Sequence, residues 1–289
     1  MKHLKLSIPF VLTVIFLSSM PIFAQKMNPE EIIAKHLDSI GTIEKRSVIK
    51  NQMVLGDAKF AAKGNGLSAS GKIVIFSANN KSLWGMNFNS NEYPVDRYSY
   101  DGKNTKIGYI RPGVRSTLGG FILSYTELLR EGLLGGTLTS SWVLLNNESG
   151  KAKLSFDGTK EISEKEVYVL SYSPKKGSDL SIKMYFDKQT YQHVRTEYNR
   201  VISARQGATI DTSAGQGQES YQLIEKFSDF KKAGDLTLPT KYTISYEFTT
   251  NALIRSRENT TRQLEWTFNI SDFSYNQQLD DTTFDIDAK

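Results

Sequence analysis

At 289 residues, with no cysteine and a formal net charge of +5, the chain is long enough for one large domain or two small ones and has neither disulfides nor thiolate chemistry at its disposal. Its charges of both signs are interspersed, so the mild positive balance does not point to nucleic acid. A chain of this size can bury roughly 70% of its unfolded surface, and packing alone can hold it.

Residues 1–24 have the layout of a secretory signal peptide. Lys2 and Lys5 make a basic start, Ile8 to Leu17 form the apolar middle, and Ile22 and Ala24 sit at the third and first positions before a cut. The apolar run is about half the roughly 20 residues that span a bilayer, and no second run of that length follows. The expectation is an exported, soluble protein with no transmembrane span in the mature chain. Loss of the two leader lysines takes the 36 basic residues to 34 against 31 acidic ones, a balance of +3.

Asn28 to Gly41 reads as an amphipathic helix. Asn28 can cap it, Pro29 suits its first turn, and Glu30 and Glu31 sit at the positive end of the helix dipole. Ile33, His36, Leu37 and Ile40 share one face, and Gly41 offers a left-handed stop. His36 has no second metal ligand at helical spacing and reads as a packed or surface histidine.

Short runs of β character then follow, separated by Gly, Asn and Asp: Val48–Leu55, Lys72–Phe76, Leu83–Phe88, Arg97–Tyr100, Lys106–Ile110, Trp142–Leu145 and Lys151–Phe156. The series continues with Glu166–Tyr172, Leu180–Phe186, Val194–Ile202, Tyr221–Phe230, Lys241–Phe248 and Leu264–Phe273. Turns are expected at Gly66, Asp101-Gly102, Asp157-Gly158 and around Asp187. The spacing is that of an antiparallel meander. Its clearest strand alternates Tyr242, Ile244, Tyr246 and Phe248 with Lys241, Thr243, Ser245 and Glu247, and is expected to begin after Pro239, which donates no ladder hydrogen bond.

Two stretches interrupt the meander. Between Arg111 and Gly136, Ser124 and Glu127 fit a capping box, and Leu128, Leu129, Leu133 and Leu134 make an apolar face. That segment is either a helix packed on the sheet or a lid hinged at Gly119, Gly120, Gly135 and Gly136. Ile202 to Gln222 is polar and rich in Gly, Ser and Gln, the composition of a mobile hairpin tip or of a loop that meets a partner.

Motifs for catalysis are missing from the sequence. His36 and His193 lie beside no nucleophile, and there is no GxSxG, P-loop or dinucleotide fingerprint. Asp280, Asp281, Asp285 and Asp287 lack the central glycine of a calcium loop and read as a solvated tail. Arg111, Arg115, Arg255, Arg257 and Arg262 can meet acidic lipid or a partner, or simply aid solubility. No cofactor and no metal are expected.

Several segments are similar to the LolA and LolB-like superfamily of periplasmic lipoprotein carriers, also described as outer-membrane lipoprotein-sorting proteins. They are MYFDKQTYQHVRTEY from Met184, FSDFKKAGDLTLPTKYTI from Phe227, FNISDFSYNQQLDDTTFDI from Phe268 and DGKNTKIGYI from Asp101. The resemblance covers most of the chain after the leader and carries no catalytic residue. It implies a periplasmic protein of mostly β (α+β) class: a curved, antiparallel, unclosed half-barrel of about a dozen strands, with two or so helices plugging the concave face. In that reading residues 25–289 are one domain with a lid-like helical insertion near 119–136.

The implied function is a non-catalytic carrier or sensor that binds lipid or lipoprotein acyl chains in an apolar cavity, without nucleic acid and with an envelope membrane protein as a possible partner. Shielding apolar surface contributes about 25 cal/mol per Å² removed from water. Trp84, Phe88, Leu128, Leu129, Tyr242, Ile244, Tyr246, Trp266 and Phe268 are the candidate cavity liners. The alternatives are an envelope scaffold protein and an envelope hydrolase with a spatially assembled acid pair.

Overall fold

The computed structural model describes residues 28–64, 66–145, 153–174, 177–203, 218–251, 260–280 and 282–287. The leader, Asp281, Arg255, Arg257 and most of the polar 202–222 segment lie outside them. The helices are α1 (Pro29–Ile40), α2 (Ile43–Ser47), α3 (Thr117–Ser124) and α4 (Glu127–Arg130), followed by a 3-10 turn at Gly136–Leu138. The strands are β1 (Asn51–Lys63), β2 (Ser68–Ala78), β3 (Lys81–Phe88), β4 (Val95–Tyr100), β5 (Thr105–Ile107), β6 (Lys153–Ile162) and β7 (Lys165–Ser173). They continue with β8 (Ser181–Asp187), β9 (His193–Ile202), β10 (Gln218–Ala233), β11 (Leu236–Asn251) and β12 (Thr260–Tyr275).

All twelve strands form one sheet in the order β5-β4-β3-β2-β1-β12-β11-β10-β9-β8-β7-β6. Every ladder is antiparallel. The two ends, β5 and β6, do not pair with each other, so the sheet stays open. The first and last strands meet at its centre, with Phe60 opposite Trp266. One face carries the alternating apolar residues, and the chain between β5 and β6 covers it. Leu118, Phe121, Ile122, Leu128, Leu129, Leu133, Leu134, Leu138 and Trp142 of that segment are all buried in the same core as the sheet. We refer to it as the plug.

Local chemistry explains where the elements differ from expectation. α1 starts at its Asn28 cap, whose side chain accepts from the Glu30 amide at 3.2 Å. Gly41, however, has φ 163°, which is extended backbone and not a left-handed stop. The plug helix begins at Ser116, whose hydroxyl accepts from the Gly119 amide at 2.7 Å, and not at Ser124. Ser124 ends that helix and donates to the Gly120 carbonyl at 3.1 Å, so the expected capping box does not form.

Trp142–Leu145 is no strand. The run lies in the buried plug, tied by the Val143 amide to the Gly132 carbonyl at 3.1 Å, and a short apolar run has the same composition in either setting. Asp157-Gly158 is not a turn but a bulge within β6, where the register shifts between Phe156 and Gly158. β11 begins at Leu236, before Pro239. There Pro239 pairs with Phe230 on one side, while β12 pairs only from Lys241 onward, so the missing amide faces an unpaired edge. Of the acidic tail, Asp285 and Asp287 grip Lys106 Nζ at 2.7 and 2.9 Å.

Gly135 and Gly136 are needed for close approach. A Cβ on Gly135 would stand 2.6 Å from the Trp84 ring, and one on Gly136 would stand 2.9 Å from His193 Nδ1. Both also have positive φ, 84° and 50°. Gly113 has a comparable φ of 74° with nothing within 4 Å of its Cβ position, which separates strain from clash. Gly113→Ala should cost about 1 kcal/mol from backbone strain, and Gly135→Ala about 2–4 kcal/mol from strain plus overpacking. Urea midpoints check this; equal losses would show that the Trp84 contact does not constrain the plug.

Candidate functional site

α1 lies across one end of the concave face. Between it, α2, the start of β1, the 137–145 part of the plug and the start of β11 runs a groove of about 460 Å³. Ile33, Leu37 and Ile40 form one wall, Leu144 and Leu145 another, and Leu236 and Leu238 the floor. Ile43, Ile49, Arg46 and Lys50 stand at the rim. α2 has no buried residue, and Ile43 is 61% exposed. Arg46 Nε donates to the Gly41 carbonyl at 2.8 Å, and Lys45 meets Asp235 at 3.1 Å, so α2 is held mainly by polar contacts at its ends. The volume lies within the roughly 300–1,000 Å³ of small-molecule sites, and aliphatic side chains share the lining with Ser47, Gln52, Asn79, Thr137 and Ser140.

All nine expected cavity liners are brought together, and all are buried: Trp84, Phe88, Leu128, Leu129, Tyr242, Ile244, Tyr246, Trp266 and Phe268 belong to one core cluster. None of them lines the 460 Å³ groove. Phe227, Tyr242 and Phe268 stack in series at 5.0 and 5.3 Å between centroids, and Phe121 of the plug meets Tyr246 edge-on at 5.6 Å. The floor of the half-barrel is therefore in contact with the plug.

Two acids lie inside this core. Glu225 is 0% exposed; its Oε1 accepts from the Gly135 amide at 2.7 Å and from the Tyr242 hydroxyl, and its Oε2 accepts from the Tyr198 hydroxyl at 2.7 Å. Tyr198 also lies 3.0 Å from the Leu133 carbonyl, so the cluster ties the plug to β9, β10 and β11. Burial raises the Glu225 carboxyl to about 7, against the pull of the Tyr242, Tyr198 and Gly135 hydrogen bonds. Asp96 accepts from Tyr93 at 2.6 Å and from Tyr98, and Trp266 Nε1 donates to the Tyr93 hydroxyl at 3.0 Å. Burial likewise raises the Asp96 carboxyl.

The two histidines, read separately in the sequence, meet. His36 Nδ1 donates to the Tyr191 carbonyl at 2.7 Å, His193 Nε2 lies 2.8 Å from Thr196 Oγ1, and the ring centroids are 6.2 Å apart. Trp142 packs on both. Burial lowers His36 to about 4 and holds His193 well below its usual value, so both are neutral. Each is 1% exposed, and among the described residues no three potential metal ligands cluster. Glu225 could have been found in the sequence, because it stands on the apolar face of its strand between Leu223 and Phe227. Nothing in the sequence pairs His36 with His193, which lie 157 positions apart.

Between pH 4.5 and about 7 the folded protein holds a proton on Glu225 that the unfolded chain releases, so this group lowers stability as pH rises through that window. The histidines act in the opposite sense, because unfolding frees them to bind protons below pH 6.5. Glu225→Gln removes only the first effect. Denaturant titrations at pH 5, 6 and 7 should therefore show stability climbing more steeply with pH in the variant than in the wild type. Parallel profiles would mean that another group titrates there.

Searches against protein-family models and against curated proteins find no match. Among solved structures the chain is similar to a LolA superfamily protein from Nitrosomonas europaea, at 13% identity over 90% of this chain and 99% of that one, with a TM-score of 0.48. It is also similar to a putative outer membrane lipoprotein-sorting protein domain from Vibrio parahaemolyticus, at 14% identity, 89% and 97% coverage and a TM-score of 0.46. A DUF1329 family protein from Desulfovibrio piger matches at 12% identity, 89% and 97% coverage and a TM-score of 0.40. The likeness carries no site residue across.

Proposed function

We propose that the protein is a non-catalytic periplasmic carrier or sensor that takes lipid or lipoprotein acyl chains into the groove beneath α1. The observation that supports this reading is the composition of the groove: nine isoleucine and leucine side chains line about 460 Å³, with Arg46, Ser47, Lys50, Gln52, Asn79, Thr137 and Ser140 completing the lining. Each buried CH₂ of a chain contributes about 0.8 kcal/mol, so a stretch of about eight gives about 6 kcal/mol before the cost of immobilising the ligand is subtracted. Arg46 and Lys50 at the rim suit an anionic head group. A longer chain would reach Tyr242, Trp84 and the other core residues only by displacing the plug. Among the described residues no helix is long and apolar enough to cross a membrane.

Leu37 and Leu145 are half-buried in the groove walls, so a charge at either enters the site without entering the core. In displacement of a fluorescent fatty acid, Leu37→Glu and Leu145→Glu should each weaken binding about tenfold or more while circular dichroism stays that of the wild type. Absence of saturable binding to the folded wild-type protein would overturn the proposal, as would unchanged affinity in both variants.

A further inference from the structure

A second groove, of about 520 Å³, lies on the opposite face of the sheet, where the β6–β7 hairpin tip faces the outward side chains of β9 to β12. The tip is a two-residue turn with both φ positive, 49° at Ser163 and 64° at Glu164, the conformation of the tightest hairpins. It carries Lys165 into the groove wall. The apolar part of the lining continues into a small outward cluster, in which Val167, Val169 and Tyr185 are buried and Ile162 and Val194 pack on them.

The charges here are arranged against their own stability. Lys226 is directly opposite Arg195 in the β9–β10 ladder, and Lys241 stands two positions from Thr243, the residue facing Lys226 in β11. Like charges at such cross-strand positions repel at a cost of a few tenths of a kcal/mol or more. Arg195 is answered by Glu197 at 2.6 Å. Lys165, Lys226 and Lys241 have no carboxylate within ion-pair distance among the described residues. Of the two acids in the lining, Asp187 spends an oxygen on the Gln189 and Thr190 amides, at 2.9 and 2.8 Å, and Glu265 lines the groove from β12 without reaching any of the three lysines at ion-pair distance. Ser228, Thr243 and Thr267 add hydroxyl donors.

We propose that this outer groove binds a phosphate group, either on an amphiphile whose apolar part lies on Ile162 and Val194 or on a free phosphate compound. Three separated ammonium groups and several hydroxyls suit a tetrahedral anion with oxygens on every side, whereas a flat carboxylate is best matched by a planar guanidinium fork. An anion beside Lys226 and Lys241 offsets the like charges that the ladder places near one another. The site is separate from the acyl groove and does not depend on it.

Calorimetric titration with inorganic phosphate and with pyrophosphate, and flotation with phosphatidylcholine vesicles with and without phosphatidic acid, test the assignment. Lys226→Gln/Lys241→Gln should weaken binding about tenfold or more, and rising salt should weaken it in the wild type. The control Lys59→Gln/Lys232→Gln, at exposed lysines outside the groove, should bind as the wild type does. Binding of the soluble anions alone identifies a free phosphate compound, and binding of the acidic vesicles identifies a head group; both uphold the site. No saturable binding of any probe, or equal loss in the control, overturns it. Fatty-acid displacement should be unchanged in Lys226→Gln/Lys241→Gln, so failure here and failure of the carrier reading are distinguishable.

Discussion

An open sheet of twelve strands with one apolar face has to find something to lay against that face, and this chain supplies it from the connection between the two sheet edges. The constraint falls hardest where the plug touches down. Gly135 and Gly136 bring backbone against Trp84 and His193, and Glu225 receives the Gly135 amide from beneath. That carboxyl group has a cost, since burial disfavours its charged form and makes it hold its proton up to about pH 7. It is tolerated because Tyr198, Tyr242 and the Gly135 amide all donate to it. With the plug fixed in this way, the aromatic residues of the concave face are buried against it, and the groove under α1 lies beside its 137–145 segment.

Much of this arrangement is legible in the sequence, and the reasons for the gaps are physical. Alternation in Lys241–Phe248 marks a strand and its inward face, since Tyr242 and Ile244 are buried and Lys241 is exposed. The Asn28 cap and the spacing of Ile33, His36 and Ile40 mark α1. What periodicity does not carry is the identity of a short apolar run. Trp142–Leu145 has the composition of a strand and lies in a turn-rich, buried segment. Glycine pairs are ambiguous in the same way: Gly135 and Gly136 can be read as hinges of a lid or as turns of a packed segment, and in the structure Trp84 and His193 leave no room for a side chain at either.

The candidate site shows a sharper division. The aromatic residues expected around a cavity do assemble, yet in a folded chain the same residues serve equally well as packing, and here the plug covers them. The groove residues Leu144, Leu145, Leu236 and Leu238 come from a plug segment and a strand start, and no local pattern relates them. The outer lysines are equally silent in one dimension, because Lys226 faces Arg195 only through the register of β9 against β10. Surface charge becomes informative once like signs are known to be neighbours.

The placement of β1 beside β12 has a consequence for how the molecule comes into being. Phe60 and Trp266 are adjacent in space and 206 positions apart in sequence, so the central ladder of the sheet cannot close until nearly the whole chain has been made. The hairpins on either side can form from local contacts, but each half alone ends in an exposed apolar strand edge at what will become the middle. Folding is thus gated by the last strand to emerge, and until then each half carries an unpaired edge where the centre of the sheet will be.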